Sequence, residues 1–309
     1  DATVISDTNS LLFMPLLAEV ASSALEPAHI STPVRSAAAH TRFRHGAVDG
    51  IDTAERAVLL DGDRIRYDHL VIAVGSTPAF LDLPGVEENA FTMKDLADAT
   101  RLRDHVIGLL ERSDQLADPR EKERLLTFVV AGGGFAGAET VAELFDLVHS
   151  VLHLYPGITA AEPQFVMVHS RDRILPELSP ELGAYALSRL RARGIGFQLG
   201  IRVSSATGDR VRLSGGACIA TATFVWAAGA RPSPFVVRLD GEHARTGALV
   251  TDPTLRANGL DRVWAVGDCA QISDVEGDGT PFPPTAQHAV RQGTVVADNI
   301  AAIVAGRAP

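Results

Sequence analysis

The sequence is poor in cysteine, and this scarcity excludes two kinds of protein. Among 309 residues, Cys218 and Cys269 are the two cysteines, and they form no Cys-x-x-Cys pair. A disulfide-stabilised framework and a redox dithiol of the usual spacing are therefore both excluded. We interpret the two residues as ordinary thiols of a cytosolic protein.

Long apolar runs and an excess of positive charge are also missing. No stretch reaches about 18 uninterrupted apolar residues, so the sequence predicts no transmembrane helix. No secretory signal precedes the strand-like start at residues 2–5. The formal net charge of −10 disfavours a nucleic-acid partner, because phosphate binding needs a positive face. The length instead suits about two globular domains.

A glycine-rich turn between a strand and a helix is the clearest motif. Residues 126–131 (LTFVVA) predict a buried strand, and apolar residues recur with helical period from Ala138 to His153. Gly132-x-Gly134-x-x-Gly137 lies between them. Such glycines allow a tight turn, the close approach of a pyrophosphate and helix–strand packing, while the helix N-terminus attracts phosphate. The turn predicts a dinucleotide site, and the alternative is a glycine turn that binds nothing.

One supersecondary pattern occurs twice. Residues 58–62 lead into 70–78 (LVIAVGSTP), and residues 211–215 lead into 224–232 (FVWAAGARP). An internal repeat indicates two copies of one unit. We therefore predict an α/β fold with two Rossmann-like dinucleotide-binding domains, the second inserted in the first. The strand-end glycines Gly75 and Gly229 are predicted to border the two cofactor sites.

The repeat also predicts domain bounds. Residues 1–110 and 253–309 are predicted to form the first, discontinuous domain, and residues 125–252 the second. By comparison with the second copy, the first copy's glycine turn belongs some tens of residues before Asp1. We therefore expect the first strand and helix of the N-terminal unit to be missing from this chain, and the alternative is that this unit never had them.

The strand that follows the glycine turn is predicted to end at His169. A dinucleotide-binding domain normally has an acid there for the adenosine ribose 2′-hydroxyl. His169 and the nearby arginines could instead meet a 2′-phosphate. NADH and NADPH both stay open, and in the alternative interpretation Asp172 or a water serves the ribose.

Other polar positions have two interpretations each. Glu139 is expected in the first helical turn, either as an acid that stabilises the helix end or as a carboxylate placed for proton transfer. Asp268 follows a strand and can bond the sugar-alcohol chain of a flavin or form a simple Asx turn. His149 and His153 have metal-ligand spacing, but no third ligand is evident, so we predict a helix face and no metal.

These residues resemble a family, the type II NADH dehydrogenases within the two-dinucleotide flavoprotein reductases. The resemblance covers nearly the whole chain in the family's order. The segments that carry it are 9–17 (NSLLFMPLL), 67–75 (YDHLVIAVG), 132–139 (GGGFAGAE), 225–229 (VWAAG), 265–270 (AVGDCA) and 286–293 (AQHAVRQG).

The resemblance implies non-covalent FAD on the first domain, NADH or NADPH on the second, and a quinone as electron acceptor. By position it assigns Glu139 and Gln287 as catalytic residues, with Ala286 beside the flavin ring and the quinone. The residues it assigns to the rest of the FAD site are Ser6, Asp7, Val48 and Asp268.

The chain departs from the family pattern at several positions. Ser6 stands where an acid is usual, and His169 replaces the acid of the NAD ribose site. Arg291 stands where the family has a second quinone-site glutamine, which would favour a more polar or anionic acceptor. The amphipathic membrane anchor expected after Pro309 and the N-terminal flavin glycine turn are not in the chain.

The predicted activity is transfer of electrons from NADH or NADPH through FAD to a quinone. In the full-length protein this would take place on the cytoplasmic face of the cell membrane, and a homodimer is left open. A soluble reductase of a carrier protein such as ferredoxin or rubredoxin is the alternative enzyme. A dinucleotide-binding sensor is the non-enzyme alternative.

Overall fold

A computed structural model of the chain describes residues 2–274, 277 and 279–309. In chain order its strands are β1 (Thr3–Ser6), β2 (Ser10–Leu12), β3 (Ser31–Pro33), β4 (Arg42–His45), β5 (Gly50–Asp52), β6 (Ala57–Leu60), β7 (Asp63–Arg66), β8 (Leu70–Ile72), β9 (Ser76–Pro78), β10 (Thr127–Ala131), β11 (Gln164–His169), β12 (Gly196–Leu199), β13 (Val203–Thr207), β14 (Arg210–Leu213), β15 (Cys218–Ala220), β16 (Thr223–Trp226), β17 (Ala230–Pro232), β18 (Leu249–Val250), β19 (Val263–Ala265) and β20 (Ala270–Gln271). Its α-helices are α1 (Leu17–Ala21), α2 (Val34–Ala37), α3 (Val86–Asn89), α4 (Leu96–Asp114), α5 (Pro119–Leu125), α6 (Phe135–Val151), α7 (Pro180–Ala192), α8 (Pro234–Val237) and α9 (Ala286–Val304).

Contacts divide the chain into two compact units. Unit 1 comprises residues 1–11, 32–77 and 230–309, and unit 2 comprises residues 12–31 and 78–229. This division differs from the predicted ranges, because residues 12–31 and 78–110 cluster with unit 2 and residues 230–252 with unit 1. The stretch 111–124, which separates the predicted domain ranges, lies inside unit 2 and contains the end of α4 and most of α5.

A four-stranded parallel sheet with the order β12-β11-β10-β16 forms the centre of unit 2. All five residues of β10 are buried, as expected of a central parallel strand covered on both faces. The strand, turn and helix predicted around the glycines are confirmed, with the helix beginning earlier than predicted, at Phe135.

The helices of unit 2 cover this sheet with their apolar faces. The buried residues of α6 follow helical spacing and include Val141, Leu144 and Val148. Helix α4 has a highly charged sequence, yet its stripe of Leu102, Val106, Leu109 and Leu110 is buried, in the same core as α1 and α6. This buried stripe explains why α4 belongs to unit 2.

Both ends of helix α7 follow from its local sequence. The Ser179 hydroxyl accepts a hydrogen bond from the Leu182 N–H, and Pro180 occupies the first turn, where a proline's missing N–H costs nothing. The helix ends just before Gly194, whose φ of +102° is typical of a helix C-terminus.

Unit 1 consists of small sheets. Its parallel pairs are β1 with β4, β8 with β19, and β18 with β20. Its antiparallel sheet β5-β6-β7 precedes β8, just as β13-β14-β15 precedes β16 in unit 2. The repeated pattern in the sequence is therefore a repeated structure, a three-stranded meander followed by a parallel strand.

Among the described residues, no helix combines the length and apolar character that crossing a bilayer requires.

Candidate dinucleotide site

The glycine turn of unit 2 combines positions that exclude a side chain with one position that is open. Gly132 has φ +120°, and a Cβ built there would lie 2.3 Å from the Ala227 carbonyl oxygen. A Cβ on Gly137 would lie 2.0 Å from the Gly132 carbonyl oxygen. A Cβ on Gly134, in contrast, would be 3.5 Å from its nearest neighbour, the Glu177 carboxylate. Gly132 and Gly137 therefore serve backbone packing, whereas Gly134 leaves a surface that a ligand can approach.

This open surface lies at the N-terminus of α6. Gly134 is the N-cap residue and offers no side chain to cap the helix. The first N–H groups of a helix lack intrahelical acceptors and lie at its positive end. Phe135 and Ala136 at the start of the helix are exposed. The arrangement suits an anionic group such as a pyrophosphate.

We expect Gly137→Ala to destabilise the protein, because its methyl group would collide with the Gly132 backbone. Overpacking of this kind costs roughly 1–3 kcal/mol. In a chain of this size the melting temperature should fall by several degrees, at roughly 2–4 °C per kcal/mol. Thermal unfolding measures the change.

Gly108→Ala in α4 is the matched control, because no atom lies within 4 Å of a Cβ built there. This exposed helix-interior substitution should raise the melting temperature, since alanine is favoured over glycine in a helix by about 1 kcal/mol. A Gly137→Ala protein as stable as the wild type would show that α6 can move off the turn without cost.

His169 lies at the end of β11, as predicted, and its ring faces the turn. The Gly133 N–H donates a hydrogen bond to Nδ1 at 3.0 Å. The Nε2 atom is buried and has no hydrogen-bond partner among the described residues. Burial is the largest cause that lowers the pKa of His169, followed by the charge of Arg171, while Glu177 opposes both.

Glu139 lies beside two other acids. It is the fifth residue of α6, so the prediction that it sits in the first turn was wrong, and no acid occupies that turn. The residue is exposed, yet its pKa is raised, first by loss of water around the carboxyl and then by Glu19 and Glu143. This position weakens the interpretation of Glu139 as an acid that stabilises the helix end. Its raised pKa instead suits an acid that exchanges protons.

One acidic neighbour of Glu139 comes from a distant part of the sequence, and the other lies on the same helix. Glu19 lies on α1, and its Oε2 is buried without a described partner. Glu143 accepts a hydrogen bond of 2.5 Å from the Ser22 hydroxyl. Sequence reasoning missed both acids. For Glu143 a signal was present, because it follows Glu139 by four residues and so lies one helical turn away.

In unit 1, Asp268 is the predicted site residue with the clearest environment. It lies in a short 3-10 turn after β19 and accepts a hydrogen bond of 2.8 Å from the Ser76 hydroxyl. The preceding Gly267 N–H donates to the Gln292 side chain of α9 at 2.8 Å. Both bonds fix the strand end from which the Asp268 carboxylate projects.

The other predicted residues lie apart from such a network. Ser6 ends β1, where its hydroxyl accepts from the Thr8 N–H at 3.2 Å, and the backbone oxygen of Asp7 bonds the His45 ring. Val48 lies in the loop after β4, and Gly75 follows β8. Ala286 and Gln287 are exposed at the start of α9. In unit 2, the Gly229 carbonyl accepts from the Ala79 N–H at 3.1 Å.

The two cysteines differ in exposure, and one of the paired histidines packs on an aromatic ring. Cys218 is exposed and Cys269 is buried, and both are free thiols. Burial raises the pKa of Cys269. The His149 ring stacks on Phe145, and within the described residues no three acidic, histidine or cysteine side chains converge as a metal site.

Comparison with known proteins decides the family. Residues 1–293 match the family described as Pyridine nucleotide-disulphide oxidoreductase. The chain belongs to this family. Its member described as a probable NADH dehydrogenase of Dictyostelium discoideum is 32% identical, over 96% of this chain and 67% of that protein. The Type II NADH:quinone oxidoreductase NdhA of Mycobacterium tuberculosis is 31% identical, over 90% of this chain and 63% of that protein.

A solved structure confirms the fold. NDH2 from Plasmodium falciparum in complex with NADH superposes with a TM-score of 0.80 at 21% identity, over 88% of this chain and 60% of that chain. The predicted α/β dinucleotide-binding fold and the resemblance to type II NADH dehydrogenases are thereby confirmed. The chain spans 50% to 69% of the length of the curated relatives compared.

Proposed function

We propose that the protein is an NAD(P)H dehydrogenase that passes electrons through FAD to a quinone. The observation that carries the proposal is the glycine turn at Gly132 to Gly137, whose one open glycine is the N-cap residue of a helix without a side-chain cap. The names of the relatives support the direction of electron flow, because they include NADH dehydrogenases and NADH:quinone oxidoreductases.

The nicotinamide nucleotide fits unit 2. A Cβ on Gly134 would fill the space that a pyrophosphate needs, and the first N–H groups of α6 would bind its oxygens. The unpartnered Nε2 of His169 suits an oxygen of the adenosine ribose. Glu139, with its raised pKa, would hold or release a proton during turnover.

FAD fits unit 1 in part. The Asp268 carboxylate, anchored by Ser76, and the hydroxyl of Ser6 are suited to the hydroxyl groups of the cofactor. Unit 1 contains no Gly-x-Gly-x-x-Gly sequence for its phosphates. When bound, FAD supplies the chemistry that accepts a hydride and gives up electrons to the quinone. Gln287 and Ala286 would contact the flavin ring and the quinone.

A spectroscopic titration tests the proposal. The protein carrying FAD is mixed anaerobically with NADH or NADPH, and bleaching of the visible flavin absorbance is expected. Addition of a soluble ubiquinone analogue should restore the absorbance. No bleaching with either nucleotide would overturn the proposal. Restoration by ferredoxin or rubredoxin but not by the quinone would replace it with a carrier-protein reductase.

The quinone acceptor would bring the protein to a membrane surface. Attachment to the inner face of the cell membrane and assembly into a homodimer remain predictions of the family resemblance. Flotation with liposomes and sedimentation analysis of the whole protein would test them.

A further inference from the structure

His169 is held against the glycine turn by a hydrogen bond and by close packing. The Gly133 N–H donates to Nδ1 at 3.0 Å, and a Cβ built on Gly133 would lie 2.6 Å from the ring. Gly133 therefore provides both the donor and the space that fix the orientation of the imidazole.

This bond determines which ring nitrogen carries the proton. Because Nδ1 accepts from Gly133, it is unprotonated, and a neutral imidazole then carries its hydrogen on Nε2. Burial and the charge of Arg171 lower the pKa of His169 against the weaker effect of Glu177, so the neutral form prevails near pH 7. Nε2 is therefore a hydrogen-bond donor without a net positive charge.

The donor needs an acceptor that the described protein does not supply. Nε2 is buried and unpartnered among the described residues, and a buried donor left unpaired destabilises a protein. It lies at the strand end where dinucleotide-binding domains bind the adenosine ribose. The backbone there is fixed, since the Ile201 N–H donates to the His169 carbonyl and the Gly200 N–H to that of Arg171.

We propose that the Nε2–H of His169 donates to the oxygen substituent at the adenosine 2′ position, so that the site admits the 2′-phosphate of NADPH. The inference rests on the proposed function, because it assumes a nicotinamide nucleotide on the turn. A carboxylate at this position would accept from a ribose hydroxyl and would repel a phosphate. A neutral donor can bond either the hydroxyl oxygen of the ribose or an oxygen of the 2′-phosphate, and it repels neither group.

One cation near His169 is available to a phosphate. Arg171 is exposed two residues beyond His169 and forms no ion pair with any residue that the structure describes. Arg173 is already bonded to the carbonyl oxygens of Pro176 and Leu178. Glu177 is the acid that acts on His169, and its carboxylate lies beside Gly134.

Calorimetric titration of the whole protein with two adenosine nucleotides tests the inference without requiring turnover. Adenosine 2′,5′-bisphosphate is expected to bind at least as tightly as adenosine 5′-monophosphate, from which it differs by the 2′-phosphate alone. His169→Glu should weaken bisphosphate binding at least about tenfold relative to the monophosphate, because like charges meet at the 2′ position. Tighter monophosphate binding by the wild type would overturn the inference while leaving the proposed function intact.

A second variant separates the donor from the structural bond. His169→Asn keeps an acceptor for the Gly133 N–H but has no atom at the Nε2 position, so the melting temperature should hold while bisphosphate affinity falls. Nitrogen NMR of the wild type should show the proton on Nε2 near pH 7, and a proton on Nδ1 would overturn the inference. Failure of both nucleotides to bind would overturn the proposed function itself.

Discussion

Gly134→Ala should bind NADH and NADPH at least about tenfold more weakly, a loss of about 1.4 kcal/mol, while its melting temperature changes little. The added methyl group would meet only ordinary contact within the protein, 3.5 Å from the Glu177 carboxylate. The backbone at Gly134 is extended, with φ −80° and ψ −172°, which alanine adopts freely. The methyl group would instead occupy the space in which a pyrophosphate approaches the backbone. Fluorescence titration with each nucleotide measures the change.

Gly208→Ala is the matched control for this substitution. Its Cβ would also make an ordinary contact, 3.6 Å from the Asn89 side chain, but it lies between β13 and β14, away from the turn. The control should keep full nucleotide affinity. If Gly134→Ala also kept it, the pyrophosphate would have to bind elsewhere.

Glu139→Gln should slow quinone reduction more than about tenfold, within the range usual for loss of an acid–base group, and should keep FAD and nucleotide binding. The pKa of Glu139 is raised by loss of water and by Glu19 and Glu143, which places its proton exchange nearer to neutral pH. Steady-state kcat with a ubiquinone analogue, measured across pH, tests this. Because Glu139 can act as an acid only while it is protonated, the variant should also lose the fall in rate that its ionisation causes as pH rises.

The stability of Glu139→Gln distinguishes a catalytic role from a structural one. A carboxyl whose folded-state pKa lies above the unfolded value of 4.5 loses stability as pH rises through that folded pKa, because ionisation is then less favourable in the folded state. At pH 7 the variant should therefore melt no lower than the wild type. Glu181→Gln, which neutralises an exposed acid in the first turn of α7, should retain normal kcat. An unchanged kcat in Glu139→Gln would make that residue an ordinary surface acid.

Local sequence was sufficient to predict the elements that carry the site. The run at 126–131, the glycines after it and the periodic residues of α6 depend on neighbours within a few positions, and so do the cap and end of α7. The start of α9 follows from Thr285, whose hydroxyl accepts from the His288 N–H at 3.4 Å. Hydrogen bonds between such close residues form wherever the local pattern occurs.

The electrostatic environment of Glu139 and His169 could not be predicted from local sequence. Glu19 approaches Glu139 only because α1 packs on α6, and the hydrogen bond from Ser22 to Glu143 joins residues 121 positions apart. The contact of His169 with Gly133 depends on two adjacent strand ends. The position of α4 was also missed, because its buried stripe is hidden among charged residues. Each of these features arises from tertiary packing that one sequence does not display.

The contrast between the two thiols has a practical use. Cys218 lies exposed on β15 of unit 2, whereas Cys269 is buried in unit 1, where burial raises its thiol pKa and withholds the reactive thiolate. A maleimide dye added to the native protein should therefore label a single position without any engineered cysteine. Its fluorescence would follow the melting of unit 2 alone, while calorimetry records the whole chain, so one sample can show whether the two units unfold together.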